Sequence, residues 1–243
     1  MKEHVQSPEK IGAFFDIDGT LLPSPSLEWR FIGHLLAQDK IGSADVGRWL
    51  VHCARNLLRD PRDATIGNKR YLAGLAESLV ADWESSLDPA IPGFFAEGIG
   101  RIAEHLAQGH RVFLISGTLE PLARAVARRL PGQIEVCATR LEMRGAHWTG
   151  RLAGEHMSGE AKARAIRALA VRYGLALWDS YAYGNSVTDL PMLDSVGHRA
   201  AVNPSSRLRR ITRNESWQTC DWTQASAAVP GTSRHKLSPQ EAP

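Results

Sequence analysis

Two carboxylates with one residue between them close an apolar run in AFFDIDGTLLP, Ala13 to Pro23. The run IGAFFDI, Ile11 to Ile17, reads as a short buried strand. Asp16 and Asp18 are two apart on it, so both side chains leave the same face. Two unit charges ~4 Å apart repel by ~4 kcal/mol at an effective dielectric near 20. A divalent cation would offset that repulsion, and so would a proton held by one carboxyl. Either answer is a functional state. The plain alternative is a pair of solvated loop carboxylates capping the next helix. Position favours function, because in a doubly wound sheet ligands collect at the carboxyl ends of the strands. Gly19 and Thr20 then supply a tight turn and a hydroxyl donor.

Other polar residues lie at the ends of apolar runs or at helix starts. Ser116 and Gly117 end a second apolar run, VFLISGT. Lys162 lies in SGEAKARA, between the second and third core strands. Asn185 and Asp189 follow a third strand in YAYGNSVTDLPML. Taken one at a time these are weak signals. Ser-Gly-Thr is a common turn, a lone lysine on a basic helix is ordinarily a solvated face, and Asn185 suits a turn. The nine histidines are scattered without metal-binding spacing, and His34, His52 and His105 read as ordinary core or surface residues. Trp29, Trp49 and Trp83 read as packing residues, with lining of a substrate pocket as the alternative, and RLRRITR, Arg207 to Arg213, as the solvated face of a short helix, with contact to an anionic partner as the alternative.

The elements that must position these groups alternate. RVFLISGT, DSYAYG and HRAAVN read as further core strands. IEVCATRLEM and HWTGRLAG are strand-like, joined by a turn at RGA. FFAEGIGRIAEHLAQGH, LEPLARAVARRL, GEAKARAIRALAVRYG and the short VTDLPMLDSV read as helices. Strands alternating with helices predict an α/β fold, a Rossmann-like parallel sheet with helices on both faces. From about Ser26 to Ala90 the texture is helical instead, in LEWRFIGHLLAQ, ADVGRWLVHCARNLL and IGNKRYLAGLAESLVADWESSL. The expected division is a core of 11–23 and 93–223, a helical insert over 24–92, and flexible termini at 1–10 and 225–243.

Composition excludes several classes. The chain has 243 residues, 43% of them hydrophobic, enough for a sizeable core. A net charge of +3 argues neither for a dedicated nucleic-acid binder nor for a membrane-surface protein. Cys53, Cys137 and Cys220 are odd in number and widely spaced, which points to a reducing compartment. The start, MKEHVQSPEK, lacks the apolar core of a signal peptide. No run approaches the roughly 20 apolar residues of a membrane span. The expectation is a cytoplasmic protein; its oligomeric state is not legible.

DIDGTLL resembles the first motif of the haloacid dehalogenase (HAD) superfamily of phosphohydrolases, Asp-x-Asp-x followed by Thr or Val. Ser116 matches the second motif, Lys162 the third, and the Asn185–Asp189 pair the fourth, all in the family's order. DIDGTLLPSPSLEW, LISGTLEPLA, GEAKARAI and YGNSVTDLPML look closest to the phosphoserine-phosphatase-like branch, subfamily IB, which carries its helical cap between the first two motifs. The resemblance implies a Mg²⁺-dependent phosphatase acting on a small phosphorylated metabolite. It implies Asp16 as nucleophile, Asp18 as general acid and base, Ser116 and Lys162 as phosphoryl ligands, and Thr20 and Gly117 at the substrate. Asp16, Asp18, Asn185 and, through water, Asp189 would hold the metal. Glu28, at the start of the insert, is either a helix-start charge or a reader of a substrate amine. Asn185 departs from the family, since that position is normally acidic. The departure leaves open a weakened homologue that binds a phosphorylated metabolite or a partner protein. Phosphotransfer to another alcohol fits the same residues.

Overall fold

The computed structural model describes residues 10–44, 46, 47, 49, 51, 69–86, 93–215 and 217–223. β1 (Gly12–Phe15) is wholly buried. Its alternation sends Phe14 to one face of the sheet and Phe15 to the other. Phe14 stacks on Phe113 with ring centroids 5.1 Å apart, and Phe15 on Tyr183 at 4.4 Å. Each ring belongs to a separate apolar cluster, so both faces of the sheet are covered.

β1 is flanked by β2 (Arg111–Leu119) and β6 (Tyr181–Gly184). Beyond β2 lies β3 (Ile134–Thr139). Beyond β6 lie β7 (His198–Val202) and β8 (Gln218–Cys220). The order is β3-β2-β1-β6-β7-β8, and every pair is parallel. The chain leaves β1 toward one edge and later returns to its other side, so the end of β1 is a topological switch point, where such sheets form a crevice. The described helices are α1 (Leu27–Ala37), α2 (Leu79–Ser86), α3 (Ala96–Ala107), α4 (Glu120–Ala127), α5 (Glu160–Tyr173), α6 (Leu190–Leu193) and α7 (Ser206–Glu215).

The structure corrects four details. IEVCATRLEM is not one strand: it breaks at Arg140 into β3 of the main sheet and β4 (Leu141–Arg144), which pairs antiparallel with β5 (His147–Leu152). β8 was not legible, since Gln218, Thr219 and Cys220 form no apolar run. IGNKRYLAGLAESLVADWESSL is helical only in part. Gly74 takes φ +83. Apart from a short 3-10 turn at Arg70–Leu72, the backbone around it bonds to β5 and its turn: Lys69 N–H to the Gly150 carbonyl, Gly74 N–H to that of Trp148, and Trp148 N–H to that of Leu75. Lys10, expected in a flexible end, bridges Leu175. The remaining terminal residues, 1–9 and 225–243, and the expected helical residues 52–68 lie outside the described set.

Trp83 is buried against Phe31, with ring centroids 5.8 Å apart, while Trp29 is half-exposed beside Trp49. Arg207, Arg210 and Arg213 of α7 are exposed, while Leu208 and Thr212 face inward, as a solvated basic face requires. Cys137 and Cys220 are free thiols; Cys53 lies outside the described residues. No helix among the described residues is long and apolar enough to cross a membrane.

Candidate active site

The chain turns sharply where β1 ends. The N–H groups of Thr20, Leu21 and Leu22 all converge on the Ile17 carbonyl. Gly19 makes the turn at φ +85, and a Cβ there would lie 1.9 Å from Asn185 Nδ2. Only glycine lets the Asn185 amide sit this close to the turn. Asp16 is buried and anchored by its own N–H to the Tyr183 carbonyl, 3.0 Å. The N-terminus of α1 holds Asp18, with Leu27 N–H donating to its Oδ1 at 2.7 Å.

Lys162, in the first turn of α5, donates to Asp16 Oδ1 and Asp189 Oδ1, both at 2.6 Å. Asp189 is fully buried. Its other oxygen accepts from the N–H groups of Asn185 (3.1 Å) and Ser186 (2.9 Å) and from Ser186 Oγ (3.0 Å). It therefore fixes the loop that carries Asn185. Ser116, at the end of β2, accepts from Thr118 N–H at 3.3 Å. The hydroxyl proton of Ser116 stays available to a ligand.

Asp16, Asp18, Ser116, Gly117, Lys162 and Asn185 line one cavity of about 360 Å³. A larger groove, about 750 Å³, lies at the opposite ends of the strands, around His110, Arg111 and Ile134, away from these groups. Burial raises Asp16 to about 7 and Asp18 to about 6; Lys162 opposes the first shift and the Leu27 N–H the second. Burial pulls Lys162 down, but Asp16 and Asp189 outweigh it and leave its pKa raised.

Three carboxylates, Asp16, Asp18 and Asp189, face one ammonium, Lys162. Fully ionised, they leave two negative charges in a buried site, which a dication would balance. The available donors are hard oxygens: the Asp16 carboxylate, the Asp18 carbonyl and the Asn185 amide oxygen. That set fits Mg²⁺. The residues therefore fit the ion, although no cluster of three acidic, His or Cys ligands occurs among the described residues.

One expected residue lies outside the cavity lining. Thr20 is wholly buried and donates to Asp16 Oδ2 at 3.2 Å, so it orients Asp16 and does not reach the cavity. Asp189 lines the cavity beside Asp16 and accepts from Lys162 on one oxygen and from Asn185 and Ser186 on the other, so it supports Lys162 and the loop that carries Asn185. Glu28 meets both of its expectations in part. It lies in the first turn of α1 and lines the cavity. Its carboxylate, however, is taken by Lys69 and Tyr71.

Sequence reading missed Thr118, His156 and Lys69. Thr118 Oγ1 and His156 Nδ1 are buried, without a hydrogen-bond partner, on the cavity wall. Burial holds His156 down to about 4, with the Lys69 charge adding to the effect. His156 lies six residues before Lys162, a spacing that carries no signal of its own. Thr118 could have been taken from the SGT turn beside Ser116.

The chain is similar to known proteins over most of its length. The haloacid dehalogenase-like hydrolase family model matches residues 13–194. Phosphoserine phosphatase SerB1 of Mycobacterium tuberculosis is 36% identical over 225 residues, covering 89% of this chain and 72% of its own. A putative hydrolase of Mycobacterium leprae is 35% identical over 225 residues, covering 89% and 74%. A crystal structure of a protein of unknown function from Bordetella pertussis superposes with a TM-score of 0.72 at 27% identity, covering 88% of this chain and 99% of that one. The chain is an enzyme of the haloacid dehalogenase-like hydrolase family.

Proposed function

We propose that this enzyme is a Mg²⁺-dependent phosphatase that hydrolyses a small phosphomonoester through an aspartyl-phosphate on Asp16. The observation that carries the reading is the convergence of Asp16, Asp18, Ser116 and Lys162 on one cavity at the end of β1. The names of its mycobacterial relatives support a small phosphorylated substrate.

Asp16 is oriented by Lys162 on one oxygen and Thr20 on the other. Its carboxylate attacks phosphorus, and the ester P–O bond breaks as the acyl-phosphate bond forms. Asp18, whose pKa is raised to about 6 by burial, gives its proton to the departing alkoxide. It then takes a proton from water as that water attacks phosphorus, releasing phosphate and restoring Asp16. The Ser116 hydroxyl and Lys162 hold the phosphoryl oxygens. Thr118 Oγ1, buried without a partner, gains one when a phosphoryl oxygen enters. Mg²⁺, held by Asp16, the Asp18 carbonyl and Asn185, would neutralise charge on the phosphoryl group.

A panel of phosphomonoesters assayed for phosphate release with and without Mg²⁺ tests this. Release that requires Mg²⁺ and disappears in Asp16→Asn supports it. Release that survives Asp16→Asn overturns it.

A further inference from the structure

Deepening the phosphatase reading and resting on it, we infer that the alcohol released from this enzyme's substrate carries no ammonium group, because Lys69 already occupies the Glu28 carboxylate that such a group would need. The end of the cavity that receives the alcohol is marked by Asp18, the proton donor. Asp18 is tied to the N–H of Leu27, and the next residue, Glu28, lines the same cavity. Glu28 is therefore the acidic group that substituents on the leaving alcohol meet.

That group is already engaged. Lys69 Nζ lies 2.6 Å from Glu28 Oε1 and 2.7 Å from Oε2. The Tyr71 hydroxyl also donates to Oε1. Three hydrogen bonds from these two groups fill most of what a carboxylate can accept. The side chains of Lys69 and Glu28 are only 6% and 14% exposed, so neither charge is relaxed by solvent.

Lys69 cannot easily withdraw. Its N–H is bonded to the Gly150 carbonyl and its carbonyl to Leu72 N–H. Gly150, at φ +79, presses its backbone so close that a Cβ would lie 3.0 Å from Arg70 Cα. A substrate ammonium would have to displace Lys69 and leave a buried, unpaired cation behind, which is strongly unfavourable. Binding it would exchange one cation for another at the same carboxylate. An apolar or hydroxyl-bearing alcohol carries no such penalty.

A matched pair of esters tests this: n-propyl phosphate and O-phosphoethanolamine, alike in heavy atoms and different in charge. Wild type should favour propyl phosphate by roughly tenfold or more in kcat/KM, the scale of one unpaired charge at a binding surface. Lys69→Met should lower that preference by a further factor of about ten as Glu28 becomes free for the amine. Lys69→Arg should keep the wild-type preference, which guards against a Met variant that fails to fold. A wild-type preference for O-phosphoethanolamine overturns the inference, with or without a folded variant. So does a folded Lys69→Met whose preference is unchanged. Hydrolysis of p-nitrophenyl phosphate in the same series separates the two levels. If it proceeds while the amine ester wins, only this inference fails. If no ester is hydrolysed, the phosphatase reading fails and takes the inference with it.

Discussion

Asp16 accepts from Lys162 on one oxygen and Thr20 on the other, so a change of one atom at this carboxylate tests chemistry more than folding. Asp16→Asn should keep the melting temperature near wild type and lose turnover by about 10⁴-fold or more, the scale of removing a nucleophile. Asp18→Asn should cost roughly 10²–10⁴-fold, most for alkyl esters and least for aryl esters that leave without a proton. An equal loss across both ester classes would remove Asp18 from the acid role. Asn185 occupies a normally acidic position, yet Gly19 is shaped around its amide. Mg²⁺ keeps several waters and needs only one or two protein carboxylates, so an amide oxygen can complete the set. Asn185→Asp should lower the Mg²⁺ concentration for half activity, and Asn185→Ala should raise it by roughly tenfold or more. Unchanged Mg²⁺ dependence in Asn185→Ala would return Asn185 to a turn role.

The parallel sheet was legible because its central strands are unbroken apolar runs that end in chemistry: GAFF before Asp16, VFLI before Ser116, YAYG before Asn185. The positions of Asp16, Asp18 and Ser116 at strand ends could be picked out for the same reason, whereas Lys162, on a helix, was singled out only through the family resemblance. What sequence could not show was made by pairing at a distance. β4 and β5 form a hairpin, and the backbone of 69–77 docks on it, so a segment with helical spacing lies partly along a strand. Lys69 reaches Glu28 only through that docking, 41 residues away in the chain. β8 closes the sheet edge with polar residues that carry no pattern. Trp148, on β5, is 2% exposed and packs edge-on against Phe31, with ring centroids 6.3 Å apart. Trp148→Ala should cost about 3–5 kcal/mol in denaturant unfolding, the range for emptying a large aromatic site. A loss under about 1 kcal/mol would mean the hairpin does not bear on the core. We propose that this docked segment, with the rest of 24–92, sets which alcohol the cavity accepts.

Across the whole molecule, a buried histidine links stability to pH. His105 on α3 sits beneath Tyr183, its Nε2 2.9 Å from the Tyr183 hydroxyl and its Nδ1 2.9 Å from His110. Burial lowers its pKa to about 4. In the unfolded chain it would take a proton below about pH 6.5. The stability it supports is thus whole above that pH and drains as pH falls toward 4, by on the order of 2 kcal/mol once solvent near His110 is allowed for. His105→Gln should flatten this part of the melting-temperature profile between pH 4 and 6.5. An identical pH profile in the two proteins would show that His105 carries none of it. The central claim, transfer of phosphate first to Asp16 and then to water, has a direct stereochemical readout. Hydrolysis of a thiophosphate ester made chiral at phosphorus with two oxygen isotopes, run in water of the third isotope and followed by configurational analysis of the inorganic thiophosphate, counts the displacements. Two in-line displacements predict net retention of configuration. Net inversion would mean that water attacks the ester directly, and the aspartyl-phosphate account would be wrong.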